Sequence, residues 1–497
     1  MLFFLILNIF FVSCQDDEKL IFTMIHMRHG ARSPVVKRKT DIFGEEWENP
    51  GELTPIGERM HYNLGLRNRN RYVTEKKLLS EKYDPSELVL MTTDYKRTIV
   101  SLSSHLQGLY PHNKNLGNSL TDNQIQNSKP PVDCSKVQDE INALGNSALP
   151  NSMTLIPFEI RHNSNFTGLY AQNGCKGAMK YYSTADTENM RIAKNEFQEK
   201  YAQFVDEARG TAPHNYSFLE IVETCDPYIA DYVDGRNMAA FRNTGVNMDD
   251  FLVFCYKIMG LYSSDSSIRG EETIIYLEGS KIMELLINNI KKSIDADNNS
   301  QKSPKLLIYS AHDLTLTKQE LFIYQTLENK YDEKYIVPTY ASQMAFEVSR
   351  KDDGNTNRKY SDYTVNYYFN DDLKLSMKVD EFINKMEPNI WSDEKIDQFC
   401  ANTPSDNTDN PTTNPNGNNG NSTEGNEGNK NNKAKIANNY SFSAKNKQKS
   451  YKAPFIVMTC LFGASILAIA FLSYLLFRKS TDYAPQESSV YSTNIKN

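Results

Sequence analysis

Three short apolar runs, each ending abruptly in charged or imidazole side chains, constrain this chain more than any other feature. Lys19 to Met27 reads KLIFTMIHM and passes directly into Arg28-His29-Gly30-Ala31-Arg32. The run after Ser86 reads ELVLMTTD and leads to Tyr95-Lys96-Arg97. Lys305 to Ala311 reads KLLIYSA and is followed by His312-Asp313. Runs of this length, rich in Ile, Leu and Val, are the mark of buried strands. In an open α/β sheet, ligands bind just beyond the carboxyl ends of the parallel strands. Three such ends can deliver Arg28, His29, Arg32, Arg97, His312 and Asp313 to one crevice. Apolar residues at helical spacing over 52–72, 93–109 and 270–292 predict helices between the strands. The expected fold is α/β, a doubly wound, mostly parallel sheet built from 16–110 and 266–400. Residues 111–265 are loop-rich and then helical, and are expected to form an inserted, mainly α-helical cap.

Those six residues fit the chemistry of phosphate esters. A guanidinium donates two parallel hydrogen bonds to a phosphoryl group, so Arg28, Arg32 and Arg97 would neutralise an ester dianion and favour in-line attack. A neutral imidazole, His29, can attack phosphorus and form a phosphohistidine that water then hydrolyses. Asp313 is the candidate acid for the leaving alkoxide, with a pKa that a neighbouring dianion would raise. His312 can donate a further hydrogen bond to the phosphoryl oxygens, and Gly30 lets the backbone turn beside His29. The scheme requires no metal and no cofactor. His61 and His105 are read as packed or solvated histidines, and Lys37, Arg38 and Lys39 as a solvated face.

The rest of the chain concerns location. Residues 2–13 are apolar but too short to span a bilayer, and Val12-Ser13-Cys14 suits a signal peptidase, so 1–14 is expected to be a signal peptide. Phe455 to Phe477 carries no charge and is followed by Arg478-Lys479, as a transmembrane helix with a cytosolic tail over 478–497 would be. Residues 401–452, rich in Asn, Thr, Ser, Gly and Lys, cannot bury enough apolar surface to fold and are expected to be a disordered stalk. The sequence thus predicts a type I membrane protein with a lumenal or extracellular body over 15–400. Five sequons, at Asn165, Asn215, Asn298, Asn421 and Asn439, are glycan acceptors in that topology. Cys134, Cys175, Cys225, Cys255 and Cys400 lie in the body, and some of them should pair in an oxidising compartment. None has zinc-site spacing. The net charge of −7 leaves no basic footprint for nucleic acid.

Arg28-His29-Gly30-Ala31-Arg32-Ser33-Pro34 resembles the RHGxRxP signature of the histidine acid phosphatases. Gly51-Glu52-Leu53-Thr54-Pro55-Ile56-Gly57 with His61-Tyr62-Asn63-Leu64-Gly65 is similar to their next segment. Thr93-Asp94-Tyr95-Lys96-Arg97-Thr98 and Tyr309-Ser310-Ala311-His312-Asp313 resemble the third-arginine block and the late HD block, in family order. The resemblance covers roughly 20–400 and implies a phosphoglycerate mutase-like core with a helical cap. It implies His29 as nucleophile, Arg28, Arg32, Arg97 and His312 as phosphate ligands and Asp313 as proton donor, acting on a small phosphomonoester. Family members are often homodimers, and the layout is similar to lysosomal and transmembrane prostatic types, at the cell surface or in endolysosomes. The segment Pro338-Thr339-Tyr340-Ala341-Ser342-Gln343 lacks the cysteine the family carries there. The resemblance implies a Cys175–Cys400 disulfide, and Cys225–Cys255 is a candidate local replacement for the missing one. Neither Tyr483 nor Tyr491 has the bulky apolar residue of a tyrosine sorting signal. Two other readings are a mutase-type phosphotransferase and an inactive binding protein on the same fold. The secretory layout and late HD oppose the first, and the complete residue set opposes the second.

Overall fold

The computed structural model describes residues 18–35, 47–112, 119–162, 175, 187–236, 245–268, 273–327 and 338–401. These belong to one unit of the chain, 1–413, and the whole of the second, 414–497, lies outside them. The expected signal peptide, transmembrane span, cytosolic tail and all but Ala401 of the stalk also lie outside, as do Lys37 to Lys39 and three of the sequons. Among the described residues no helix is long and apolar enough to cross a membrane.

Strands β1 (Glu18–Arg28), β2 (Leu88–Thr93), β3 (Glu159–Arg161), β4 (Leu306–Ala311), β5 (Gln343–Lys351), β6 (Tyr363–Phe369) and β7 (Asp372–Lys378) form one sheet in the order β3-β2-β4-β1-β5-β6-β7. The three expected strands are its centre. β4 is buried throughout and pairs in parallel with β1 on one side and β2 on the other. Burial on both faces explains why these strands read as continuous apolar runs. β3, from within the stretch assigned to the cap, pairs in parallel with β2 at the sheet edge. β5, β6 and β7 extend the other side as an antiparallel meander, so that β6 again runs in the sense of β1.

Helices α1 (Pro55–Arg69) and α2 (Lys96–Leu109) cover one face. They are followed by two short helices, α3 (Asp122–Asn127) and α4 (Gln138–Ala143). The cap comprises α5 (Glu188–Lys200), α6 (Ala202–Arg209), α7 (Phe218–Asp234) and α8 (Met248–Ile268). Its core is aromatic, with Phe197, Tyr201, Phe204, Tyr216, Tyr228, Phe251 and Phe254 packed together and reaching Ala31 and Tyr340 at the strand-end loops. On the opposite face of the sheet, α9 (Thr273–Asn298), α10 (Asp313–Thr326) and α11 (Val379–Met386) bury Ile282, Leu286, Ile290, Phe322 and Phe382 against Phe22 and Met24. The chain then forms α12 (Asp393–Ala401). Two disulfides are present, Cys175–Cys400 and Cys225–Cys255, the second joining α7 to α8. Cys134 is free.

Candidate active site

Because β4 lies between β1 and β2, three adjacent strands open their carboxyl ends onto one crevice. All six residues singled out from the sequence are gathered there. Arg28 is the last residue of β1, His29 follows it, and Arg32 lies one turn beyond. Arg97 is in the first turn of α2, His312 occupies the N-cap position of α10 with its side chain turned into the crevice, and Asp313 is that helix's first residue.

The backbone at His29 is held from several directions. Its N–H donates to Ala311 O (3.1 Å), and its carbonyl accepts from Ala341 N (3.1 Å), a residue in the left-handed region at φ 60°. The neighbouring Arg28 carbonyl accepts from His61 Nε2 at 3.0 Å. Gly30 N–H donates to Ser101 Oγ at 3.1 Å. Gly30 owes its identity to close approach and not to a left-handed turn. A Cβ there would strike the Gly57 carbonyl, and one on Gly57 would strike that of Ala31.

The His29 ring carries its proton on Nδ1, which donates to Gly30 O at 2.9 Å, because a carbonyl can only accept. Nε2 is left as a lone pair. Burial first, then Arg97, Arg28, Arg32 and His312, holds the imidazole well below its ordinary pKa, so it stays neutral in acid.

His312 is neutral for the same reasons, burial and then the arginines. Thr98 gives its hydroxyl proton to a carbonyl, Thr93 O (3.0 Å) or Tyr95 O (2.9 Å), and therefore accepts from Thr93 Oγ1 at 2.8 Å. Thr93 Oγ1 in turn accepts from His312 Nε2 at 3.0 Å. This fixes the His312 tautomer, and its Nδ1 lone pair faces Arg97 Nη2 at 3.4 Å. In the ligand-free arrangement His312 orients Arg97, whose guanidinium also lies 4.5 Å over the Tyr95 ring.

Asp313 pairs with Arg28, Oδ2 to Nη2, at 2.8 Å. Burial raises its pKa, but Arg28, Arg32, the Leu314 N–H and Arg97 together outweigh burial and leave it below the ordinary carboxylate range. The rise expected from sequence is tied to a neighbouring dianion, and with the arginines alone beside it Asp313 is held ionised.

Three further residues join the set. Arg32 Nη1 and Nη2 grip both oxygens of Asp226 on the cap helix α7, at 3.3 and 2.8 Å. Tyr340 stacks under Arg28, with the guanidinium carbon 4.4 Å from its ring centre. His61 secures the Arg28 carbonyl. Sequence offered only a faint signal for Asp226, an ionisable side chain on the buried face of an amphipathic helix. A small cavity beside Asp313 is lined by Arg28, Asp226, Ile229, Tyr256, Met259 and Tyr340, among others. The Nε–H groups of Arg28 and Arg32 are buried donors without an acceptor. Such a cluster suits a ligand rich in acceptor oxygens. Among the described residues, no group of three or more His, Cys, Asp or Glu is placed to hold a metal ion.

A sheet whose strand ends present a neutral histidine amid three arginines and a carboxylate is suited to binding a phosphate ester. Residues 19–370 match the model of the histidine phosphatase superfamily (branch 2), and the chain belongs to that family. It is similar to the lysosomal acid phosphatase of Xenopus laevis, 28% identical over 72% of this chain and 71% of that protein. The human lysosomal acid phosphatase is 24% identical over 78% of this chain and 82% of its own. The prostatic acid phosphatase of Bos taurus is 22% identical over 72% and 79%. Among solved structures, the apo phytase of Hafnia alvei covers 76% of this chain and 98% of its own at a TM-score of 0.47 and 12% identity. The protein is a phosphatase acting on phosphomonoesters.

Proposed function

We propose that the protein hydrolyses phosphomonoesters through a phosphohistidine on His29. The observation that carries this reading is the His29 imidazole itself, neutral, pinned through Nδ1–H to Gly30 O at 2.9 Å, with its Nε2 lone pair free. Arg28, Arg32 and Arg97 bind the phosphoryl oxygens, and His312 holds Arg97 in place. The Nε2 lone pair attacks phosphorus as the ester P–O bond breaks, and the leaving oxygen takes a proton from Asp313. Binding the dianion draws Arg28 and Arg32 toward phosphate and away from the carboxylates, which raises the Asp313 pKa and loads it with that proton. Ionised Asp313 then takes a proton from water, whose oxygen bonds to phosphorus as the N–P bond breaks and its electrons return to His29 Nε2, releasing phosphate and neutral His29. The cavity beside Asp313 receives the leaving group.

The body faces the lumen or the cell exterior, carried by a signal peptide over 1–14, a stalk over 401–452 and a membrane helix over 455–477. The lysosomal acid phosphatases it resembles make an endolysosomal or surface address the natural one.

The test is trapping. Wild-type protein mixed with an aryl phosphate at acidic pH and quenched in alkali should yield an acid-labile phosphoryl group on the peptide containing His29. His29→Ala should show neither the adduct nor turnover. Turnover persisting in that variant defeats the reading.

A further inference from the structure

Asp226 is an acid in a site built to hold an anion. Its two oxygens accept from Arg32 Nη1 and Nη2, and Oδ2 also accepts the Val35 N–H at 2.8 Å. Both partners of the fork are buried. Arg32 Nη1 is further engaged with Ser33 O at 2.9 Å, while its Nε–H, on the edge away from Asp226, is buried without an acceptor among the described residues. A second acid, Asp313, occupies Arg28. Three guanidinium charges thus face two carboxylates before any ligand enters. One of those carboxylates has a place in the proposed chemistry as acid and base. The other has none.

We propose that Asp226 is a positioning residue that limits how tightly the site holds phosphate, so that the product leaves. The inference rests on the phosphohistidine reading of the same site. By occupying both Nη groups of Arg32, Asp226 obliges an entering phosphoryl group to compete for that fork or to use the Nε edge alone. Its negative charge also opposes the phosphate dianion directly. Both effects weaken ground-state and product binding by similar amounts, since substrate and orthophosphate present the same oxygens. The cap supplies this control: α7 carries Asp226, and the Cys225–Cys255 disulfide ties α7 to α8 at the adjacent residue.

The experiment compares wild type with Asp226→Asn and Asp226→Glu, using an aryl phosphate as substrate and orthophosphate as inhibitor, with thermal unfolding in parallel. Removing one buried charge a few ångströms from the ligand should tighten orthophosphate inhibition by at least about tenfold. KM should fall in step with the inhibition constant, while Asp226→Glu, which keeps the charge, should stay near wild type. A merely structural role predicts the opposite, a raised KM, a lower Tm and no tightening. Inhibition unchanged or weakened in a folded Asn variant overturns the proposal. Should that variant fail to fold, Asp226→Ser carries the same expectation and the same refutation. Inactive wild-type protein would instead defeat the underlying reading.

Discussion

Arg28 and Asp313 meet at 2.8 Å across the ends of two adjacent parallel strands, and each occupies the other's charge. The guanidinium keeps the carboxylate ionised, and the carboxylate occupies part of the fork that phosphate needs. In the proposed mechanism, then, substrate binding is what makes Asp313 an acid. Asp313→Asn should lower kcat by about 10²–10⁴-fold, the usual contribution of a positioned acid–base group. The loss should be steepest for alkyl phosphates and smallest for p-nitrophenyl phosphate, whose leaving group needs no proton. A series of esters of graded leaving-group pKa checks this; a uniform loss would remove Asp313 as the acid.

His61 donates to the Arg28 carbonyl from within the helix packed beneath the nucleophile. His61→Leu leaves that buried carbonyl without a donor and should cost about 1–3 kcal/mol in urea unfolding. It should also lower kcat, because the same bond locates the Arg28–His29 peptide. His61→Gln, which can reach the carbonyl, should recover part of both.

Acid stability follows from three buried imidazoles. Burial pushes His26 down to about 4, His61 to about 4 and His105 to about 3. The unfolded chain binds these protons near pH 6.5, before the native state does, so stability rises with pH across that interval. It is fully present above about 6.5 and is lost as pH falls toward 4, at up to about 1.4 kcal/mol per pH unit for each histidine. Urea midpoints at pH 7, 6 and 5 should fall steadily. Turnover should persist further into acid than an ordinary histidine would allow, because burial and the surrounding arginines hold the His29 imidazole well below its usual range. A flat set of midpoints would show that these histidines titrate normally.

Gly57 packs its backbone against Ala31, two residues past the nucleophile. Gly57→Ala should destabilise the fold by about 1–3 kcal/mol through overpacking. Activity should fall further than stability alone predicts, since the strain is delivered to the His29 loop. Measuring kcat well below the variant's Tm separates the two.

Two described sequons differ in what their side chains do. Asn215 is exposed, whereas Asn298 donates to Arg358 O at 3.0 Å and accepts the Arg358 N–H at 3.1 Å. In protein from a secretory host, peptide mapping should find a glycan on Asn215 and none on Asn298. Glycan on Asn298 would show that this clasp forms too late or too weakly to exclude it, and none at any sequon would count against secretion.

The six strand-end residues were legible because each lies at or within about four residues of a strand's carboxyl end. The β-propensity of KLIFTMIHM and KLLIYSA and the polar break after them are local properties. Asp226 and Tyr340 were not, because nothing near them in the chain announces a partner. Asp226 sits in mid-helix and meets Arg32 only once the cap is folded. His61, read as a packed or solvated histidine, is buried, and its ring N–H finds a strand-end carbonyl that no spacing rule reveals. The antiparallel strands β5 to β7 carry no polar break at a parallel strand end, and β3 was hidden by its brevity within a loop-rich stretch.

The position of β1 has a consequence for synthesis. It is a central strand, yet one neighbour is β4 and the other β5, both encoded late in the chain. The ribosome therefore makes His29 before the cap and Asp313 only after all of it. A nascent or truncated chain ending before β4 has no sheet to hold His29 and no Asp313 beside it. Contacts so distant in sequence fold slowly, so under the proposed mechanism activity is expected to appear only once β4 has joined the sheet.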